Sequence, residues 1–473
     1  MRIVFVIALV GLMTACSGSS STNDSGAQDV VDVAPETSTD PGEIPVDVLG
    51  DSSPDIDGDN PADVVDPWAD ATSYQPGIET RGNIKILRLK GTAYEMGRQH
   101  GQFLHDELVL GGQFLDTDPL LSLLEPLAAD NGYIEEAVAQ SYPDILDECR
   151  GMAEIVGEEG WTFNRCMALA WGDVVLENIG MPTACSQFIA TGKATKDAAG
   201  GGELIHGRNL DWDKIDFLLE NPVVIVRHPT GRIPYVVIGF PGNVATYNGI
   251  NAAGISCGSN QNHAAPSENQ RAGRSEIQMM NEVLASATSL EDIRALFQKE
   301  ERSVGNNLVF ADGDHDTGAV FEFTAFHMGE RAIDDQGVVF ATNHYVVPDM
   351  IQYGIEVPED KSTKTRFMRL QELLLPDGKD TLYGKLDLEN AVKVLRDRWN
   401  PYTQVMAPLD VFDGQGTIAN NGCVYSIVFA PKRRAFWLAT GSLPIPMNPY
   451  QGFTLDELFG KTGAAAPDPV QIP

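Results

Sequence analysis

The chain has 473 residues, a formal charge of −34 at neutral pH, a pI near 4.4 and 43% hydrophobic residues. That is enough apolar material for one large domain or two ordinary ones, and the acidity excludes a nucleic-acid partner, because no basic surface would neutralise phosphates. The charge is unevenly spread: fifteen acidic residues and no Lys, Arg or His lie between Ser17 and Glu79, so the remainder is only moderately acidic.

Arg2 precedes an apolar run from Ile3 to Met13, short for a bilayer span but of the length of a signal-peptide core. The run closes on Leu12-Met13-Thr14-Ala15-Cys16, which resembles the lipobox of bacterial lipoproteins. The resemblance implies removal of residues 1–15, acylation of Cys16 and lipid anchoring in the cell envelope. Ser17 stands where an inner-membrane retention signal has Asp, so the outer membrane is preferred over the inner. The alternative is an ordinary secretory signal with an incidental cysteine. Residues 16–78 are rich in Asp, Ser, Pro and Gly and cannot bury enough apolar area to offset backbone entropy, which predicts a disordered acidic tether. Its repeated Asp-Val pairs lack the glycine turn and distal Glu of a calcium-binding loop, and no cofactor or metal is expected.

Order is expected from about Gly82. Alternation predicts a strand over Ile84–Leu89, then helices over Thr92–Leu108, Ile134–Gln140, Asp144–Val156 and Thr162–Leu176. After Pro182 the pattern changes to strands. Cys185–Thr191 and Glu203–Asn209 read as one hairpin, Pro222–Arg227 and Tyr235–Gly239 as a second. Further strands are predicted at Gly254–Ser259, Asn307–Ala311, Gly318–Phe323, Gly337–Thr342, Val424–Phe429 and Ala435–Thr440. Helices are predicted at Ser275–Ser286, Leu290–Lys299, Thr365–Leu374 and Leu388–Arg396. Strand-rich blocks flanking paired helices predict an α+β fold with two antiparallel sheets between helical layers.

The first hairpin carries the chemistry. Ala184-Cys185-Ser186-Gln187-Phe188 begins one strand, and the return strand ends in His206-Gly207-Arg208-Asn209-Leu210-Asp211-Trp212. Pairing them brings a guanidinium and a carboxylate towards a thiol. A nearby Arg favours the thiolate, and an Asp can orient an amine.

These residues also resemble the cysteine-class N-terminal-nucleophile (Ntn) hydrolases, which include bile-salt hydrolases, penicillin V acylases and acid ceramidase relatives. The penicillin acyltransferases resemble this chain most, since Leu89 to Gly101 (LKGTAYEMGRQHG) is similar to the opening of their pro-region. Gly249 to Asn260 (GINAAGISCGSN), Ala341 to His344 (ATNH) and Thr365 to Phe367 (TRF) resemble later blocks in the expected order. The resemblance implies a four-layer αββα fold, a pro-region or α chain over 79–184 and a catalytic β chain over 185–473, the two remaining associated after self-cleavage between Ala184 and Cys185. The freed α-amine, with a reference pKa of about 7.7 to 8.0, would act as base for the Cys185 thiol. By the same resemblance Arg208 would stabilise the thiolate, and Asp211 would orient the amine. Asn260 and Asn343 would supply oxyanion donors, with Gln261 and Asn262 within two positions of the former. Arg366 would shape the pocket or pair with Asp211. The implied activity is hydrolysis of a linear amide C–N bond in a small molecule, or transfer of its acyl group, through a Cys185 thioester. One departure is Ala184, where Gly is usual: a methyl group restricts the strained backbone that an N-to-S shift needs, which predicts slower cleavage.

Two other readings use the same residues. A papain-like peptidase would pair Cys185 with His344, with Asn343 as orienter. A non-catalytic surface lipoprotein would keep the fold for ligand binding. With Cys16 lipidated and Cys185 reactive, Cys149, Cys166, Cys257 and Cys423 remain, either as disulfides or as buried thiols.

Overall fold

The computed structural model describes residues 74–118, 121–178, 184–196, 202–212, 215–409 and 416–473. The expected signal peptide, Cys16 and the expected tether as far as residue 73 lie outside the described residues. The fold begins a few residues ahead of Gly82: Tyr74 is buried, its hydroxyl 3.0 Å from the Leu89 carbonyl and 3.1 Å from that of Val226.

Strands β1 (Gly77–Arg81) and β2 (Ile84–Gly91) come first. Then come helices α1 (Ala93–Phe103), α2 (His105–Thr117), α3 (Leu124–Asp130), α4 (Tyr133–Gln140), α5 (Pro143–Val156), α6 (Phe163–Ala170) and α7 (Gly172–Asn178). Thr92 starts α1 with a capping box, its hydroxyl accepting from Glu95 N while Glu95 accepts from Thr92 N. The helices expected over Thr92–Leu108 and Thr162–Leu176 are each broken once, at Leu104 (φ −116°) and Trp171 (φ −113°). Both residues are fully buried. Turning a large apolar side chain into the core stabilises by about 2 kcal/mol, more than the one hydrogen bond that an unbroken helix would add. Helices α1 and α5 cross closely because Gly97 and Gly151 face each other's backbone: a Cβ on Gly97 would lie 2.1 Å from Glu148 O, and one on Gly151 2.2 Å from Tyr94 O. A Cys149–Cys166 disulfide ties α5 to α6, whereas Cys257 and Cys423 are buried free thiols.

Next come β3 (Ala184–Ala190), β4 (Ile205–Asp211), β5 (Val223–Pro229), β6 (Tyr235–Gly239), β7 (Asn248–Asn251) and β8 (Ile255–Gln261). Helices α8 (Glu276–Ser286) and α9 (Leu290–Lys299) lead to β9 (Asn306–Asp312), β10 (Thr317–Phe323), β11 (Met328–Ala332) and β12 (Val338–Ala341). Helices α10 (Ser362–Leu374) and α11 (Leu388–Leu395) precede the short pair β13 (Trp399–Asn400) and β14 (Val405–Met406). The chain closes with β15 (Cys423–Ala430), β16 (Ala435–Ala439), β17 (Tyr450–Thr454) and β18 (Gln471–Ile472).

One sheet has nine strands in the order β1-β2-β5-β6-β7-β8-β9-β10-β11, the other seven in the order β12-β3-β4-β15-β16-β17-β18. Both are antiparallel except where β2 runs parallel to β5, from Lys85 opposite Val223 to Gly91 opposite Pro229. The span ahead of Cys185 is therefore more than a helical cap, since β1 and β2 extend the larger sheet itself. Leu87, Ile225, Val237 and Phe310 on one face of the larger sheet pack against α1, α5, α8 and α9. Its other face meets the smaller sheet through Val224, Val236, Leu210 and Ile427. The far face of the smaller sheet packs Phe188, Val428 and Trp437 against α10 and α11. The result is the expected α+β, four-layer αββα architecture. Among the described residues no helix is long and apolar enough to cross a membrane.

Candidate active site

The register of the β3–β4 hairpin places Ala184 opposite Asp211, Cys185 opposite Leu210 and Gln187 opposite Arg208. Alternation then sends Cys185, Gln187, Arg208 and His206 to the face that meets β8 of the other sheet. All are buried. Arg208 Nη2 lies 4.0 Å from Cys185 Sγ, while its Nη1 donates to Asn260 Oδ1 (3.1 Å) and its Nε to Asn248 Oδ1 (3.2 Å). Burial pushes the Cys185 thiol above its usual range, and the Arg208 charge pulls the other way.

On the neighbouring edge, β12 ends at Ala341 opposite Gln187. Two residues on, Asn343 turns back so that its Oδ1 accepts from Cys185 N at 2.8 Å. Arg366 donates to the same Oδ1 (2.8 Å), to Ser186 Oγ (3.0 Å) and to the Cys185 carbonyl. Arg366 is 1% exposed: helix α10 carries two arginines and lays this one under the Cys185 backbone, while Arg369 pairs with Asp397.

Asp211 sits at the end of β4, fully buried. Its Oδ2 accepts from Asn420 Nδ2 at 2.9 Å, and its Oδ1 has no hydrogen-bond partner. Burial raises its carboxyl to about 7, against the pull of Arg366, Asn420, Cys423 and Arg208. Its carbonyl faces the Cys185 thiol at 3.9 Å.

One expectation is revised. Asn343 was expected to donate to an oxyanion, yet its Nδ2 donates to Gln261 O (2.7 Å) and its oxygen is claimed by Cys185 N and Arg366. Two donors converge on one side of the amide, so the acceptor must face them. Arg366 donates to Cys185 O, Ser186 Oγ, Asn343 Oδ1 and Ser362 Oγ, and its charge acts on Asp211. Asn260 keeps its Nδ2 on the nucleophile side, donating to Ala341 O (3.1 Å) and Thr342 O (3.2 Å) and lying 3.5 Å from Cys185 O. Neighbouring Asn262 bonds away from it, to Asn307. His344 offers no support for a papain-like pair: its Nδ1 contacts Thr363 Oγ1 (2.8 Å) and Thr342 Oγ1 (3.2 Å), and burial lowers its imidazole to about 3.

Sequence reasoning passed over Asn420 and Gln187, which touch Asp211 and Asn260 directly. For Gln187 a signal existed: a polar residue two positions after the cysteine shares its strand face. For Asn420, four residues before the next strand prediction, there was none. Among the described residues no group of three His, Cys, Asp or Glu side chains is placed to hold a metal.

Beside this cluster opens an apolar cleft between the helices ahead of Cys185 and the loops after β4 and β6. Gly111, Phe114 and Leu176 line one wall, Trp212, Phe217 and Tyr247 the other. Trp212 directly follows Asp211, and Tyr247 precedes the Asn248 that holds Arg208.

A family model described as acyl-coenzyme A:6-aminopenicillanic acid acyl-transferase matches residues 198–443, a span that includes Arg208, Asp211, Asn260, Asn343 and Arg366 and begins downstream of Cys185. A curated relative, an uncharacterized protein of Archaeoglobus fulgidus, is 24% identical over 367 residues, 67% of this chain. The match spans 58% of that relative's length. Among solved structures, the Caenorhabditis elegans ortholog of N-acylethanolamine-hydrolyzing acid amidase is 17% identical with a TM-score of 0.36, over 52% of this chain and 93% of that one. A mutant conjugated bile acid hydrolase from Clostridium perfringens is 14% identical (TM-score 0.39; 58% and 94% covered), and penicillin V acylase from Agrobacterium tumefaciens 14% (0.37; 60% and 90%). With more than half of its length matched, the chain belongs to the acyl-coenzyme A:6-aminopenicillanic acid acyl-transferase family.

Proposed function

We propose that this chain is a self-activating cysteine amidase or acyltransferase with Cys185 as its nucleophile. Family membership supports an amide-cleaving or acyl-transferring enzyme. The observation that carries the finer reading is the surroundings of the Cys185 nitrogen. Asn343 Oδ1 already accepts its single hydrogen, and Asp211, at the adjacent strand end, keeps a buried carboxylate oxygen without a partner. An unpaired buried acceptor costs about 1–3 kcal/mol, and an α-ammonium at residue 185, carrying three hydrogens, would relieve it.

In the precursor, Cys185 Sγ attacks the Ala184 carbonyl carbon. The bond to the Cys185 nitrogen breaks, that nitrogen takes the thiol proton, and water hydrolyses the resulting thioester to an Ala184 carboxylate and a free thiol. In turnover the α-amine takes the thiol proton, Sγ attacks the substrate amide, and the ammonium protonates the departing amine. Water, or a second amine, then releases the acyl group. Arg208 favours the thiolate, Asn343 and Asp211 hold the α-nitrogen, Asn260 donates to the oxyanion, and Arg366 fixes the backbone of residues 185 and 186.

The apolar cleft supports an acyl group that is itself long and apolar, because a wall of aromatic and aliphatic side chains favours buried hydrocarbon at about 0.8 kcal/mol per CH2. We also propose export and lipid anchoring at Cys16; the Cys149–Cys166 disulfide, a bond that persists in oxidising compartments, supports export.

Release of nitroaniline from 4-nitroanilides of C4, C10 and C16 fatty acids tests the activity. Hydrolysis that favours the longer chains and vanishes in Cys185→Ala is expected; no hydrolysis of any linear amide by the self-cleaved protein would oppose it.

A further inference from the structure

We infer that Gln187, His206 and Ser256 form a one-way hydrogen-bond relay that sets the orientation of the Asn260 amide, and so act as positioning residues for the oxyanion step. The inference rests on the reading of Cys185 as nucleophile and Asn260 as oxyanion donor.

The relay runs between the two sheets. Gln187 Nε2 donates to Asn260 Oδ1 at 2.5 Å. Gln187 Oε1 lies 3.0 Å from His206 Nε2, and His206 Nδ1 lies 2.9 Å from Ser256 Oγ. Gln187 and His206 come from β3 and β4, Ser256 and Asn260 from β8. All four are buried with at most 1% exposure. Burial and the nearby Arg208 charge lower His206 to about 3, so its ring is neutral and has one donor and one acceptor.

The directions follow from the donor inventory. Arg208, which has only donors, gives a hydrogen to Asn260 Oδ1. That side of Asn260 must therefore be the oxygen, and Gln187 must meet it with its NH2. Gln187 then turns its oxygen to His206, which must answer with Nε2–H. The other nitrogen, Nδ1, is left as an acceptor for the Ser256 hydroxyl. Every member is thereby fixed, and the Asn260 NH2 can point only towards Cys185 and the end of β12. Reversing it would set its hydrogens against those of Gln187 and Arg208.

Space for the relay depends on Gly258. A Cβ there would lie 2.1 Å from Gln187 Oε1 and 2.7 Å from Arg208 Nη1. The strand that carries Ser256 and Asn260 thus leaves a gap at the one position where the glutamine crosses between sheets.

The test compares two reactions at the same sulfur in the self-cleaved enzyme. Acylation by 4-nitrophenyl decanoate passes through an oxyanion, whereas alkylation by iodoacetamide does not. Gln187→Glu replaces the donor facing Asn260 with a carboxylate oxygen and invites the amide to turn over. Acylation is expected to fall about 100-fold, comparable to losing an oxyanion donor, with alkylation within about twofold of the natural protein. His206→Leu is expected to behave alike, and His206→Gln, which restores an N–H, to recover most of the loss. Acylation that is unchanged in Gln187→Glu and His206→Leu overturns the relay, and so does a parallel fall in both reactions, which marks general disruption. Should these variants not fold, Ser256→Ala, which removes only a hydroxyl, must still lower acylation several-fold without slowing alkylation; equal rates overturn the relay. If the natural protein alkylates at Cys185 but is never acylated there, it is the catalytic reading that fails.

Discussion

Asn343 Oδ1 accepts from the Cys185 backbone nitrogen at 2.8 Å while Arg366 holds that same oxygen from the other side, also at 2.8 Å. A loop residue and a helix of the outer layer thus converge on the one nitrogen that self-cleavage would turn into a base. Asn343→Ala is expected to slow both self-cleavage and acylation of Cys185 by about 100-fold or more, since the α-nitrogen loses its partner and Arg366 its anchor. A time course of intact mass after purification checks this.

Asp211 gives a pH signature to the unbroken chain. Its carboxyl is raised from 3.8 to about 7, chiefly by burial. The folded state therefore binds more protons than the unfolded one between those values. Stability from this group is complete below pH 3.8 and is lost as pH rises towards 7, by on the order of 4 kcal/mol. In a Cys185→Ala background, Asp211→Asn is expected to flatten the fall in melting temperature between pH 4 and 7. Parallel curves for the two proteins would contradict the assignment.

A buried carboxyl pair joins α7, ahead of Cys185, to the start of α8. Asp173 of α7 accepts from Ser275 Oγ (2.7 Å) and Ile277 N, at the start of α8. Next to it, Glu276 accepts from Ser303 N and Val304 N. Burial first, then the Asp173 charge, raises Glu276 well above its ordinary value, which favours its neutral form. Glu276→Gln keeps those acceptor contacts and is expected to change stability by less than about 1 kcal/mol, whereas Asp173→Ala strips partners from buried donors and is expected to cost about 1–3 kcal/mol. Urea unfolding at pH 7 measures both.

Cleft depth is expected to set acyl preference. Leu176 lines the cleft from α7, and Leu176→Trp fills part of it. Turnover of C16 amides is expected to fall at least about tenfold relative to C4 amides, because each excluded CH2 forfeits about 0.8 kcal/mol. An unaltered C16 to C4 ratio would remove the cleft from the acyl site.

Much of this site was legible in the chain because it is local. The hairpin that pairs Cys185 with Leu210 and Ala184 with Asp211 follows from two alternating segments, and its residues carry the family resemblance. What could not be read depends on layers meeting. Arg366 lies on a helix whose period marks a core face without saying that the core there is the nucleophile strand. Gln187 and His206 share the hairpin, but Ser256 and Asn260 reach them only when two sheets stack. Strand β7, with the sequence Asn-Gly-Ile-Asn, offers only one strand former, Ile250; it is held by pairing with β6 and β8 and by Asn251, which bonds the carbonyls of Leu284 and Ala287 at the end of α8. The disulfide was one of several pairings until α5 and α6 packed side by side.

Intact-mass and N-terminal sequencing of the purified protein, beside Cys185→Ala, test the central claim most directly. The expected result is a fragment that begins at Cys185, with Cys185→Ala remaining one chain across that bond. An unbroken Ala184–Cys185 bond in protein that still hydrolyses a linear amide would contradict it.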